Sequence, residues 1–159
     1  MTQIATNSQN DVNSFRESLG DFAQVADLSA KGAKYIRDSL LGTLVKVDHI
    51  LFKSNAYSTV LNEDASKEFP DHKHCRMGQW YLGIGQERFG NTTAFKKMDA
   101  PHATVHDSVA KNMVFVKEGS VLKANHPEII VQNFRQMEDA SHELFKDLDM
   151  MIKEYEETR

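Results

Sequence analysis

The chain has a single cysteine in 159 residues, so an intramolecular disulfide is excluded and the thiol is inert, reactive or metal-bound. No apolar run approaches the roughly 20 residues needed to cross a bilayer as a helix. The N-terminal residues, with Thr, Gln and Asn, lack the basic and apolar regions of a secretory signal. Positive charge is not in surplus: the net charge is −4 and the pI about 6.0. Neither nucleic acid nor an anionic membrane surface therefore has an electrostatic footprint here. Strand signals are few, and no low-complexity tract or internal repeat is visible. A reducing, cytoplasmic setting is the expectation.

What is present is ordinary globular composition and strong helical periodicity. Hydrophobic residues make up 40% and charged residues 26%, enough for one core of usual size. From Val12 a stripe runs through Phe15, Leu19, Phe22, Ala26, Ser29, Ala33, Ile36 and Leu40 in alternating steps of three and four. That is coiled-coil spacing, weakened by Ser29 and by Gly20 and Gly32. The pattern runs on without a break into a helix over about 35–63, whose Val45, His49, Phe52, Ala56 and Val60 share one face. A polar loop is expected over 62–74, then a short helix over about 76–88 ended by Gly90-Asn91. Asp99 and Pro101 signal a helix start, with Asp99 as the cap and Gly119 as the stop. A last helix follows Asn125 and Pro127. The expected fold is all-α, an antiparallel four-helix-type bundle with a short extra helix and an N-terminal coiled-coil-like helix. Residues 1–39 form the N-terminal segment and 40–159 the bundle.

Four residues on faces that point to this core can do chemistry together: His49, Cys75, His102 and His106. Three imidazoles and a thiol are a complete tetrahedral set for Zn²⁺, with no position left for a substrate water. His102 and His106 are one helical turn apart, so both rings can face a single ion. Burying these groups unpaired is costly, and a shared cation is the economical alternative to separate core histidines and a packing cysteine. Such a site pins segments far apart in sequence and would add to folding free energy. No Glu stands inside the His102–His106 motif as a general base, since residues 103–105 are Ala, Thr and Val. Structure or sensing is expected, not an enzyme.

Other residues are secondary. His72 and His74 lie in the polar loop beside Cys75, where solvated side chains are the default and either can serve as an alternate ligand. His126 and His142 read as capping or surface residues. Trp80 reads as core that shields the site from water. Gly78 allows close backbone approach to the metal or to a neighbouring helix. Asp48 either orients a ligand imidazole or is a solvated helix carboxylate.

At these residues the chain resembles the chemoreceptor zinc-binding domain, the CZB family. The pattern is His49-x-x-Phe52, then 22 residues, then Cys75-Arg76-Met77-Gly78-Gln79-Trp80, then 21 residues, then His102-x-x-x-His106. The resemblance covers about residues 40–118 and implies His49, Cys75, His102 and His106 as the ligands of one Zn²⁺ per chain. It also implies a homodimeric helical bundle attached to a bacterial chemoreceptor, with residues 1–40 as the tail of its signalling helix. The chain would then be a regulatory fragment of a larger receptor, and Met1 need not be a natural start. Its partners would be the upstream signalling domain and, through it, the chemotaxis histidine kinase and coupling protein.

The function expected on this basis is sensing of oxidants such as hypochlorous acid through Cys75, with altered signalling to the kinase. A sensor of zinc availability and a purely structural zinc site are the alternatives. A hemerythrin-like di-iron carrier is disfavoured because it needs carboxylates and has no use for a cysteine.

Overall fold

The computed structural model describes residues 2–158, with the side chains of residue 10 and of residues 12–158; Met1 lies outside the described residues. All its regular elements are helical. Helix α1 spans Thr2–Leu61, α2 Arg76–Trp80, a π-helical segment Tyr81–Gly85, α3 Gln86–Phe89, α4 Thr93–Lys97, α5 Asp99–Lys117 and α6 His126–Glu157. The all-α bundle expected from the periodicity is therefore what forms. Residues 113–116, whose Met-Val-Phe-Val run has strand composition, lie inside α5.

The chain divides into two compact units, Met1–Asp38 and Ser39–Arg159. The first consists of the N-terminal part of α1. Its stripe of Val12, Phe15, Leu19, Phe22 and Ile36 is exposed.

In the second unit, residues 39–61 of α1 pack against α6 in antiparallel fashion. Lys46 pairs with Asp149 at 2.6 Å and Lys53 with Glu138 at 2.6 Å, so the numbers fall along one helix as they rise along the other. Helices α5 and α6 are joined by a short connection that stops α5 at Gly119, whose φ of +57° suits a residue without Cβ. Buried Asn112 locks the pair, donating to the Ile130 carbonyl at 3.2 Å and accepting from Asn133 at 2.8 Å. In the segment from α2 to α4, α3 packs against α6 and α4 against both α5 and α6.

Two details differ from the sequence reading. The helix expected over 76–88 is interrupted: Gly83 sits at φ −110°, ψ −115°, a conformation outside the helical well, and the residues around it form a π-helical segment. Asp99 is not a cap. Helix α4, capped by Thr92, runs through Met98 into α5, so Asp99 occupies the first turn and no free helix start remains for its carboxylate.

Two apolar clusters fill the bundle. One holds Val45, Phe89, Phe95, Met98, Leu144 and Leu148; the other holds Ala56, Val60, Val105, Val109, Ile130 and Met137. Each fully buried Val, Leu, Ile, Phe or Met side chain contributes about 1.5–3 kcal/mol. Along α1 the sequence passes from Val45 in the first cluster through His49 to Ala56 in the second, and from Met98, just before α5, through His102 to Val105. A layer of imidazoles thus separates the two.

Candidate metal centre

His49 comes from α1, His102 and His106 from α5, and Cys75 from the position that begins α2. The three rings are buried, with exposures of 3%, 1% and 4%. One donor atom from each of the four residues falls within a group whose members all lie within 4.8 Å of one another. Cys75 Sγ is 3.3 Å from His102 Nε2. The sequence-predicted set therefore converges, and the group contains no carboxylate.

The orientation of each ring follows from its other nitrogen. His49 Nδ1 lies 3.0 Å from the Val45 carbonyl one turn earlier, and His106 Nδ1 lies 2.8 Å from the Pro70 carbonyl. A carbonyl only accepts, so both Nδ1 atoms carry the proton and both Nε2 atoms present a lone pair. Those two Nε2 atoms are buried without a partner. Leaving a buried polar atom unpaired costs about 1–3 kcal/mol, so two such atoms aimed at one point, beside a thiol and a third imidazole, are what a cation would satisfy. The donor chemistry of the group, nitrogen and sulfur in tetrahedral number, suits Zn²⁺.

Electrostatics agrees. Burial pushes His49 below its ordinary pKa. Burial and then the neighbouring rings push His102 down to about 2. His106 falls to about 4 through burial, against the opposing effect of its bond to Pro70. All three rings are thus held neutral, the form that ligates metal. Burial pushes the Cys75 thiol up, partly offset by the N–H groups of Gly78 and Met77. A cation at the centre reverses that direction.

Residues 49–113 match the model of the chemoreceptor zinc-binding domain family. This segment is a chemoreceptor zinc-binding domain. No curated protein and no solved structure matches the chain. The family is a regulatory, zinc-binding one rather than an enzyme family, and its cofactor is Zn²⁺. Among the described residues, no helix is long and apolar enough to cross a membrane.

The supporting residues of this domain have clear roles. Phe52, one turn beyond His49, lays its ring 4.3 Å from that of His106 and 5.4 Å from Phe69, which accounts for the His-x-x-aromatic spacing. Cys75 caps α2, its sulfur accepting from Gly78 N at 3.3 Å. Gly78 does permit a close approach, though to the Cys75 loop: a Cβ there would stand 2.0 Å from the His72 carbonyl oxygen. Trp80 is half-buried against Phe89 and Phe95 at 5.9 and 6.0 Å, in the cluster that also packs on Cys75. Asp48 bonds to Arg76 at 3.1 Å, and the anchoring of His49 and His106 falls to main-chain oxygens. His126 bonds to the Ser120 carbonyl at 2.7 Å, and His142 is exposed.

Sequence reasoning missed Val45 and Pro70 as anchors because a carbonyl carries no side-chain signature. It also missed Asp71, whose carboxylate accepts from Lys73 N and His74 N, both at 2.9 Å, and shapes the turn before Cys75. An Asp followed closely by a residue that must be held in place is the signal that was available.

Proposed function

We propose that this chain is the zinc-binding regulatory module of a bacterial chemoreceptor in the cytoplasm, with Cys75 as its oxidant-sensitive position. In this reading His49, Cys75, His102 and His106 hold one Zn²⁺. The observation that carries it is the pair of buried, unpartnered Nε2 atoms of His49 and His106, fixed by their Nδ1 bonds and aimed at the atoms of His102 and Cys75. Bound Zn²⁺ supplies the charge that keeps the Cys75 sulfur a thiolate at neutral pH.

A cavity of about 370 Å³, lined by His49, Phe52, Cys75, Arg76 and His106 among others, gives a small oxidant access to that sulfur. The thiolate gives two electrons to hypochlorous acid and becomes a sulfenic acid as chloride leaves (RS⁻ + HOCl → RSOH + Cl⁻). A sulfenic acid is a poorer donor and a poorer cap for α2. The start of α2 loosens while the histidines keep their helices, and the Arg76–Asp48 pair carries the change to α1. From α1 the signal passes to the upstream receptor and its kinase and coupling protein.

Self-association as a homodimer belongs to the same reading. In the second unit Leu40, Leu44, Val47 and Leu51 recur at steps of four and three on α1 and are 45–59% exposed, a seam that suits a second copy. Sensing of zinc availability is the second reading, favoured by the half-buried Cys75 corner through which metal can exchange.

The test is metal content together with hydrogen exchange. One zinc per wild-type chain is expected, with none in His102→Ala/His106→Ala. One equivalent of hypochlorite should raise exchange over residues 76–85 in the wild type and leave Cys75→Ser unchanged. An equal response in both would refute oxidant sensing through Cys75.

A further inference from the structure

His72 stands just outside the four-residue group, three positions before Cys75 in the same turn. Its ring centroid is 5.8 Å from that of His102, edge-on at 85°. The rings of His49 and His106, both members of the group, are separated by the same 5.8 Å. His72 is partly buried, and its carbonyl receives Cys75 Sγ at 3.5 Å. His74, by contrast, is exposed and bonded to Asp71 at 2.7 Å.

We infer that His72 is a stand-in ligand: when the Cys75 sulfur leaves the ion, the His72 imidazole takes that corner and zinc stays bound by four histidines. The inference rests on zinc binding by the four residues named above and adds how the centre survives loss of its thiolate.

The exchange needs little movement of the main chain. Asp71 holds the turn through its own carboxylate, using Lys73 N and His74 N and not the sulfur. On the other side Gly78 lies directly beneath the His72 carbonyl. The His72 backbone is thus fixed from two directions, and its ring already stands edge-on beside that of His102. Imidazole is as ordinary a zinc donor as thiolate, at about 2.0–2.1 Å. It is neutral, so a restored thiolate, with its negative charge, displaces it again. The centre can then pass through modification of Cys75 and back without losing its metal.

Zinc-loaded wild type, Cys75→Ala and Cys75→Ala/His72→Ala are to be compared by X-ray absorption, in which multiple scattering counts imidazole ligands. Three rings and one sulfur are expected in the wild type, four rings in Cys75→Ala and three in the double variant. Zinc affinity of the double variant should fall roughly tenfold below that of Cys75→Ala. Three rings in Cys75→Ala, or no zinc there, overturns the inference and leaves the four-residue centre standing. A wild type without zinc or sulfur coordination removes the centre itself.

A second measurement keeps Cys75 in the folded, zinc-loaded chain. Iodoacetamide alkylates the sulfur, the thiolate displacing iodide to form a thioether, and a zinc-responsive dye reports release. After alkylation His72→Ala should give up its zinc to a competing dye at roughly tenfold lower dye concentration than wild type; equal release from both refutes the inference.

Discussion

Replacing Gly78 by alanine adds one methyl group outside the candidate ligand set and should nonetheless damage it. A Cβ at 78 would stand 2.0 Å from the His72 carbonyl oxygen and 2.8 Å from the Cα and carbonyl carbon of Lys73. These obstacles are main chain, so no rotamer change relieves them. The turn must back away from α2 by about 1 Å to reach a tolerable contact. Metal–ligand distances tolerate about 0.2 Å, so the displacement is roughly five times what the sulfur can absorb. The same turn carries the Pro70 carbonyl that anchors His106, His72 itself, and the Gly78 N–H bond to Cys75. Gly78→Ala should therefore lower zinc affinity by about 10–100-fold, and by more than Cys75→Ala. In the zinc-free chain, overpacking should cost about 1–3 kcal/mol, more than the ~1 kcal/mol gained in helix propensity. Competition against a chelator of known affinity measures the first effect and calorimetry of the metal-free protein the second. Gly32→Ala is the control, since nothing lies within 4 Å of its added Cβ. Wild-type zinc affinity in Gly78→Ala would refute the reasoning.

Chelation of the metal should lower the melting temperature: zinc at about 1,000 times its Kd adds about 4 kcal/mol, or roughly 8–16 °C for a chain of this size. An unchanged scan after chelation counts against a metal that supports the fold. The buried histidines titrate below their ordinary value of 6.5, His106 at about 4 and His102 at about 2. Their contribution is thus complete above about pH 6.5 and lost as pH falls through the folded values, because the unfolded chain binds more protons there. The urea midpoint of the metal-free protein should drop steadily between about pH 6.5 and 4, and a flat profile contradicts the assignment. Leu44→Asp with Leu51→Asp places charge on the exposed seam of α1 and should halve the mass measured by light scattering; a parent chain that is already monomeric removes the dimer.

The convergence of the four candidate ligands was legible because the three histidines sit at positions that periodicity makes internal. His49 lies between Val45 and Phe52 on one face, and His102 and His106 lie on the face of Val105 and Val109. Spacing within a helix is a one-dimensional property, so a sequence carries it. The break at Gly83 and the passage of α4 through Met98 into α5 were not legible. Both depend on where Phe89, Phe95 and Trp80 must pack, and Asp99 has the chemistry of a cap whether or not a helix start is free for it. The anchors of His49 and His106 were hidden for a related reason, since any residue offers a carbonyl. Asp48, for which the sequence allowed either a bond to a ligand ring or a solvated carboxylate, reaches across to Arg76.

The use of peptide oxygens to aim His49 and His106 has an evolutionary corollary. No replacement of the side chain at 45 or 70 can delete either acceptor, so the anchoring itself survives substitution as long as the α1 turn and the loop trace do, even though packing still constrains Val45. Loss of either anchor must come from bending the backbone, which makes insertions and deletions near residue 70 more dangerous to the aim of His106 than point substitutions.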